Sequence, residues 1–193
     1  MAKLKQRGLS ENTIDILSSD HGQYLGDYGF AGKWYPHEVS IRVPLIIRDP
    51  RLPDRHKGTR TNDFALSIDL GPTMLDYAGV TPPTRMQGRS LAALTKGNTP
   101  ADWRKSYYYE HHFVPDPSWN MVLPRNEGIR TARWKYIQYI DSKPLFEELY
   151  DLDADPLEIN NLAAHRSQSA RIKRFRQQLR EMRQQISAAP PTN

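Results

Sequence analysis

Cysteine is absent from this 193-residue chain, which excludes disulfide bonds and thiolate metal sites while leaving the redox compartment open. No run of about 18 apolar residues occurs, so no segment reads as a membrane-spanning helix. The opening Met1-Ala2-Lys3-Leu4-Lys5 has no apolar region behind it and does not read as a signal peptide. No internal repeat is visible. What remains, 38% hydrophobic residues with 15 prolines and 11 glycines, suits a loop-rich globular chain long enough for one or two domains.

The formal charge is +5, and its placement matters more than its size. From Leu162 onward, seven positive residues (Arg166, Arg171, Lys173, Arg174, Arg176, Arg180 and Arg183) face a single acid, Glu181. That segment carries +6, leaving the rest of the chain at −1. In the same segment Ile172, Phe175, Leu179, Met182 and Ile186 recur at three- and four-residue intervals, the pattern of an amphipathic helix with one basic face. Clustered Lys and Arg could bind polyanions. Against that reading, the apolar stripe demands a packing partner and no base-reading motif accompanies it, so a docked terminal helix with a solvated basic face is the expectation, with no specific nucleic-acid partner.

Upstream, Thr13–Leu17 is a β-favouring run ending in Ser18-Ser19-Asp20-His21-Gly22, as a strand entering a site loop reads. Residues 22–32, with Tyr24, Tyr28 and Phe30 among glycines, suggest an irregular loop of functional length. Val43–Ile47 reads as a buried strand, and 48–61 as an exposed, charged loop. A helix is expected over 67–78, capped by Ser67, with Pro72 in its first turn and Ile68, Leu75 and Ala78 facing inward. A short helical piece follows over 88–94. The segment near Gly97–Pro100 is the expected boundary between a first domain, 1–100, and a second, 101–193. Beyond it, alternation over 105–113, 129–133, 134–140 and 148–152 predicts a small antiparallel sheet. Residues 114–125, with Pro115, Pro117 and Pro124 around Trp119, read as a long loop.

An aspartate beside a histidine offers a hard oxygen and an imidazole to a divalent ion. Lys33 offers a point positive charge to an anionic oxygen. The whole string is more specific than these pieces: Ser19-Asp20-His21-Gly22, Leu25-Gly26-Asp27-Tyr28-Gly29, Gly32-Lys33, Glu38 and Arg42-Val43-Pro44-Leu45-Ile46. It resembles the second half of the type I sulfatases, within the alkaline-phosphatase-like superfamily. A second match, Glu127-Gly128-Ile129-Arg130-Thr131, Trp134-Lys135-Tyr136-Ile137, Glu148-Leu149-Tyr150-Asp151-Leu152, Asp155-Pro156-Leu157-Glu158 and Asn161-Leu162, resembles that family's C-terminal subdomain. The two cover nearly all of residues 9–163 in order.

The resemblance implies an α/β fold, the C-terminal part of an alkaline-phosphatase-like sulfatase, with a small antiparallel sheet and terminal helix as C-terminal subdomain. It implies a sulfuric ester hydrolase when complete, acting on sulfate esters of sugars. By the same resemblance Asp20 and His21 are ligands of Ca²⁺, and Lys33 is a catalytic residue that binds the sulfate. His111, His112 and Arg130 are candidates for substrate contact. Adjacent strand residues point to opposite faces, so His111 and His112 are not expected to share one ion. For Arg130 the competing reading is a strand arginine paired with Glu127 or Glu148, and Glu38 and Arg42 are expected to pair with each other or with site loops.

The family's nucleophile, a formylglycine made from Cys or Ser in Cys/Ser-x-Pro-x-Arg, has no counterpart in this sequence and is expected in an N-terminal half. The resemblance thus implies a fragment that alone is inactive. Complete members of the family are periplasmic or secreted. The competing readings are a non-catalytic remnant or binding module, and a phosphonate or phosphate monoester hydrolase of the same superfamily.

Overall fold

A computed structural model describes residues 1–115, 118 and 123–188. In chain order the elements are α1 (Ala2–Gln6), β1 (Asp15–Leu17), β2 (Tyr24–Leu25), β3 (Ala31–Gly32), α2 (Glu38–Ile41), β4 (Ile46–Arg48), α3 (Leu70–Tyr77), α4 (Ala92–Thr95), β5 (Ser106–His111), β6 (Asn126–Thr131), β7 (Trp134–Tyr139), β8 (Phe146–Asp151) and α5 (Ser169–Ser187). They pack as two units. Met1–Asp20 with Val43–Arg104 forms one, and His21–Arg42 with the described residues from Lys105 onward forms the other. The loop expected over 114–125 falls largely outside the described residues.

In the first unit β1 pairs with β4 antiparallel, Ile16 opposite Ile47 and Leu17 opposite Ile46. Ile47 and Leu45 pack on a core of Leu91, Leu94 and Trp103, while Leu17 and Ile46 are both 59% exposed. The strand expected to be buried over Val43–Ile47 is thus covered on one face only in this chain. A two-stranded sheet has one face on a core and, because opposite residues share a face, turns Leu17 and Ile46 outward together.

The helix expected over 67–78 is a single-turn 3₁₀ segment (Ser67–Asp69) leading into α3. Ser67 does not cap it; the Leu66 N–H donates to Asp69 Oδ2 at 2.7 Å instead. Nor do Ile68 and Ala78 face inward, since both are exposed and the buried positions are Pro72 and Thr73. The reason is polar. Thr73 Oγ1 donates to the Asp69 carbonyl at 2.6 Å and accepts from the Leu91 N–H at 2.9 Å, so the buried contact runs through a satisfied hydroxyl that apolar periodicity does not register. Asp69 is itself fully buried. It holds Arg104 in a two-point ion pair and accepts the Arg89 N–H at 2.8 Å.

The second unit is built on the meander β5-β6-β7-β8, antiparallel throughout. Alternation assigns its faces. Ile129, Tyr136 and Leu149 pack against Ile172, Phe175 and Leu179 of α5, with the Phe175 and Tyr136 rings stacked 5.6 Å apart. The α5 arginines are not only solvated. Arg176 pairs with Glu147, Arg183 pairs with Glu127, and Arg171 lies 3.7 Å over the Trp134 ring. On the opposite face Ile137, Tyr139 and Tyr150 form a second core with Tyr35, so the segment 21–42 covers this side of the sheet.

Within that segment residues 22–32 are less irregular than expected. β2 and β3 pair as a minimal hairpin, closed by a turn in which Tyr28 takes φ 55°. Tyr24 is buried at its base, edge-on to Phe30, Tyr35 and His37, and burial raises its phenol pKa above the usual range.

Candidate functional site: the segment from Asp20 to Glu38

Asp20 ends the first unit, exposed, with Ser19 Oγ donating to its Oδ1 at 3.4 Å. His21 opens the second. Its Nδ1 lies 2.6 Å from the Gly22 carbonyl oxygen, and its Nε2 lies 2.7 Å from Lys33 Nζ. A carbonyl can only accept and an ammonium can only donate, so the proton sits on Nδ1 and the Nε2 lone pair faces Lys33. The structure thus brings His21 and Lys33, twelve positions apart, into direct contact.

The short helix α2 supports both. Ser40 Oγ donates to the Lys33 carbonyl at 2.7 Å, and the Gly22 N–H donates to the Ser40 carbonyl at 2.6 Å. A Cβ on Gly22 would lie 2.0 Å from the Val39 carbonyl oxygen, so only glycine permits this approach.

Beside Lys33, Trp34 stacks on Phe113 with ring centres 5.5 Å apart, and His111 stands edge-on to Trp34 at 5.8 Å. Burial lowers the His111 pKa and favours the neutral ring. His112 lies apart from this group. It points to the α5 side of the sheet, where its Nε2 is 3.1 Å from Glu127 Oε1, on the carboxylate that also holds Arg183. The sheet therefore sends the two histidines to opposite faces.

Arg130 is paired with neither Glu127 nor Glu148. Its Nε is 3.0 Å from Glu38 Oε1, and Glu38 is held also by Lys135 Nζ at 2.8 Å rather than by Arg42. Lys135 is only 2% exposed and reaches Glu158 Oε1 at 2.6 Å. Burial alone would raise the Glu38 carboxyl, but Lys135 and Arg130 together hold it below the usual carboxylate range. Sequence reasoning assigned Glu38, Lys135 and Glu158 no chemistry and named only Arg130, as a candidate substrate contact. Glu158 lies inside a quoted motif, yet nothing local names its partners.

The donor set can be tested against a divalent ion. Among the described residues no three His, Cys, Asp or Glu side chains gather as a metal site. The Nδ1-protonated tautomer of His21 does leave Nε2 as a donor of the right kind, and Asp20 adds a carboxylate. Each is thus of a ligand type that a divalent ion accepts. Lys33 would have to leave Nε2 for an ion to bind there.

Residues 26–185 match the profile of the family described as N-sulphoglucosamine sulphohydrolase, C-terminal. The chain belongs to this sulfatase family. It is 36% identical over 190 residues to the N-acetylglucosamine-6-O-sulfatase of Bacteroides thetaiotaomicron, an alignment covering 97% of this chain and 33% of that protein. The family member's chain thus spans about a third of the length of that curated relative. A structure solved in complex with its substrate, D-glucosamine-2-N,6-O-disulfate, superposes with a TM-score of 0.86 at 35% identity, covering 98% of this chain and 38% of the other. The phosphonate monoester hydrolase of Agrobacterium radiobacter superposes at 0.81 with 30% identity, covering 95% and 37%. The fold is that of the C-terminal portion of alkaline-phosphatase-like sulfatases, with its small antiparallel sheet and terminal helix. No helix among the described residues is long and apolar enough to cross a membrane.

Proposed function

We propose that this sulfatase-family chain supplies the sulfate- and metal-contacting residues of a sulfuric ester hydrolase acting on sulfated sugars. The observation that carries the reading is the Lys33 side-chain nitrogen, 2.7 Å from His21 Nε2. Sulfate ester hydrolysis expels an alkoxide from sulfur, so negative charge grows on the sulfuryl and leaving oxygens. A fixed ammonium stabilises that charge without reorganising during the reaction. Asp20 and His21 are assigned to Ca²⁺, which when bound supplies further positive charge to the same oxygens. His111 is assigned to the sugar, with Arg130 and His112 as the alternatives; His111 is favoured because it and Lys33 both lie beside the Trp34 ring. A sugar substrate is supported by the glucosamine disulfate bound in the similar structure and by the name of the Bacteroides relative. No residue of this chain is assigned as nucleophile, the role that formylglycine fills in the family.

Titration calorimetry tests the reading. Inorganic sulfate should bind saturably to the purified chain and fail to bind Lys33→Ala. Calcium should strengthen that binding in the parent and not in Asp20→Ala. The chain should turn over no aryl sulfate; turnover above buffer that survives Asp20→Ala would overturn the nucleophile assignment. The likeness to the phosphonate monoester hydrolase motivates a second reading, and methylphosphonate binding more tightly than sulfate would favour it.

A further inference from the structure

We propose that Glu158 and Lys135 are positioning residues that set the His21–Lys33 pair through the short helix α2, an inference that deepens the assignment of Lys33 to sulfate. The chain of contacts lies wholly within the second unit. Glu158 sits in the left-handed region at φ 53°, which a glutamate adopts only when its surroundings impose it. Its side chain is fully buried, and Oε2 accepts the backbone N–H of Glu38, the first residue of α2, at 2.5 Å. His37, in the N-cap position, makes no capping bond of its own. A carboxylate 120 residues away in sequence therefore does the work of an N-cap.

Lys135 completes the grip. Its ammonium touches the Pro36 carbonyl at 2.9 Å, Glu38 Oε1 at 2.8 Å and Glu158 Oε1 at 2.6 Å. The chain entering α2 and the first residue of α2 are thus both tied to the floor of the sheet.

The far end of α2 delivers this constraint to the site. Ser40 holds the Lys33 carbonyl through Oγ and the Gly22 N–H through its own carbonyl. Gly22 in turn presents the carbonyl that fixes the His21 tautomer. Displacing α2 would shift the backbones on both sides of the pair together, and errors of about 1 Å suffice to spoil such an alignment. A buried Lys between two carboxylates adds little stability over apolar packing of equal volume, so geometric specification is what the arrangement accounts for.

The test compares the parent chain with Glu158→Gln and Ser40→Ala. The glutamine keeps the shape and an acceptor while losing the charge; the alanine removes only the bond to Lys33 and serves if the first variant fails to fold. Backbone ¹H–¹⁵N spectra at one fixed pH report the Gly22 amide held by the Ser40 carbonyl, and calorimetry with inorganic sulfate reports the site. We expect a folded variant whose Gly22 amide resonance shifts and whose sulfate affinity is about tenfold lower. A folded variant that keeps the parent's Gly22 resonance would overturn the inference. If the parent binds no sulfate, the functional reading fails, while the amide comparison still decides the positioning role.

Discussion

Replacing Lys135 with methionine keeps the volume of the side chain and deletes the positive charge that Glu38 and Glu158 share. Both carboxylates stay where they are, Glu158 at 0% and Glu38 at 16% side-chain exposure. Arg130 still reaches Glu38 at 3.0 Å, but Glu158 is left with the Glu38 N–H. Removing one partner of a buried ion pair costs about 3–5 kcal/mol, a large part of a total margin of about 5–15 kcal/mol. The pH dependence gives the loss a signature. In the parent the Glu38 pKa is depressed, so its contribution is present above the unfolded value and disappears as pH falls through the folded one. In Lys135→Met burial still opposes ionisation while the strongest partner that favoured it is gone and Arg130 alone remains, so the ionised form loses most of its support. Urea denaturation at a series of pH values from 7 to 4 should therefore show the gap between parent and variant closing as pH falls. An equally large gap at every pH would mean that packing, not charge, is what Lys135 contributes. No gap at all would refute the cluster as a structural element.

Gly22→Ala should cost about 1–3 kcal/mol by overpacking, because its Cβ would meet the Val39 carbonyl oxygen, and sulfate binding should fall with it; an unchanged melt and unchanged calorimetry would show that α2 can retreat freely. Asp69→Ala should lose about 3–5 kcal/mol in the first unit, since it strands the Arg104 guanidinium and frees the Leu66 and Arg89 N–H groups; chemical denaturation followed at Trp103, which lies 4.8 Å from the Arg104 guanidinium, reports it. Phe175→Ala should cost about 3–5 kcal/mol by emptying the stack on Tyr136, and hydrogen exchange should show α5 losing protection before β6 and β7.

The amino-acid order by itself determined the parts of this protein whose signals are local. Alternation marked the strands now seen as β5 to β8, and the Ile172, Phe175, Leu179 spacing marked the inner face of α5, because side chains two residues apart on a strand, or three and four apart on a helix, share a face whatever surrounds them. The string from Ser19 to Ile46 marked the family because its pieces recur in order at short fixed spacings. Other features were decided only in three dimensions. Thr73, not an apolar residue, became the buried contact of α3 because a hydroxyl could be satisfied there from Asp69 and Leu91. Leu17 and Ile46 lie opposite each other on the exposed face of the β1–β4 pair, while Leu45 and Ile47 pack on the Leu91 core. His111 and His112 went to different sides of the sheet, and only the tertiary structure shows which side meets Trp34. Glu38, Lys135 and Glu158 converged from three distant stretches. In a chain with 27 basic and 22 acidic residues nearly any such pairing is open to the sequence, and the one that forms is selected by sheet register and by burial, which set a water-excluded ammonium against the two carboxylates and the Pro36 carbonyl.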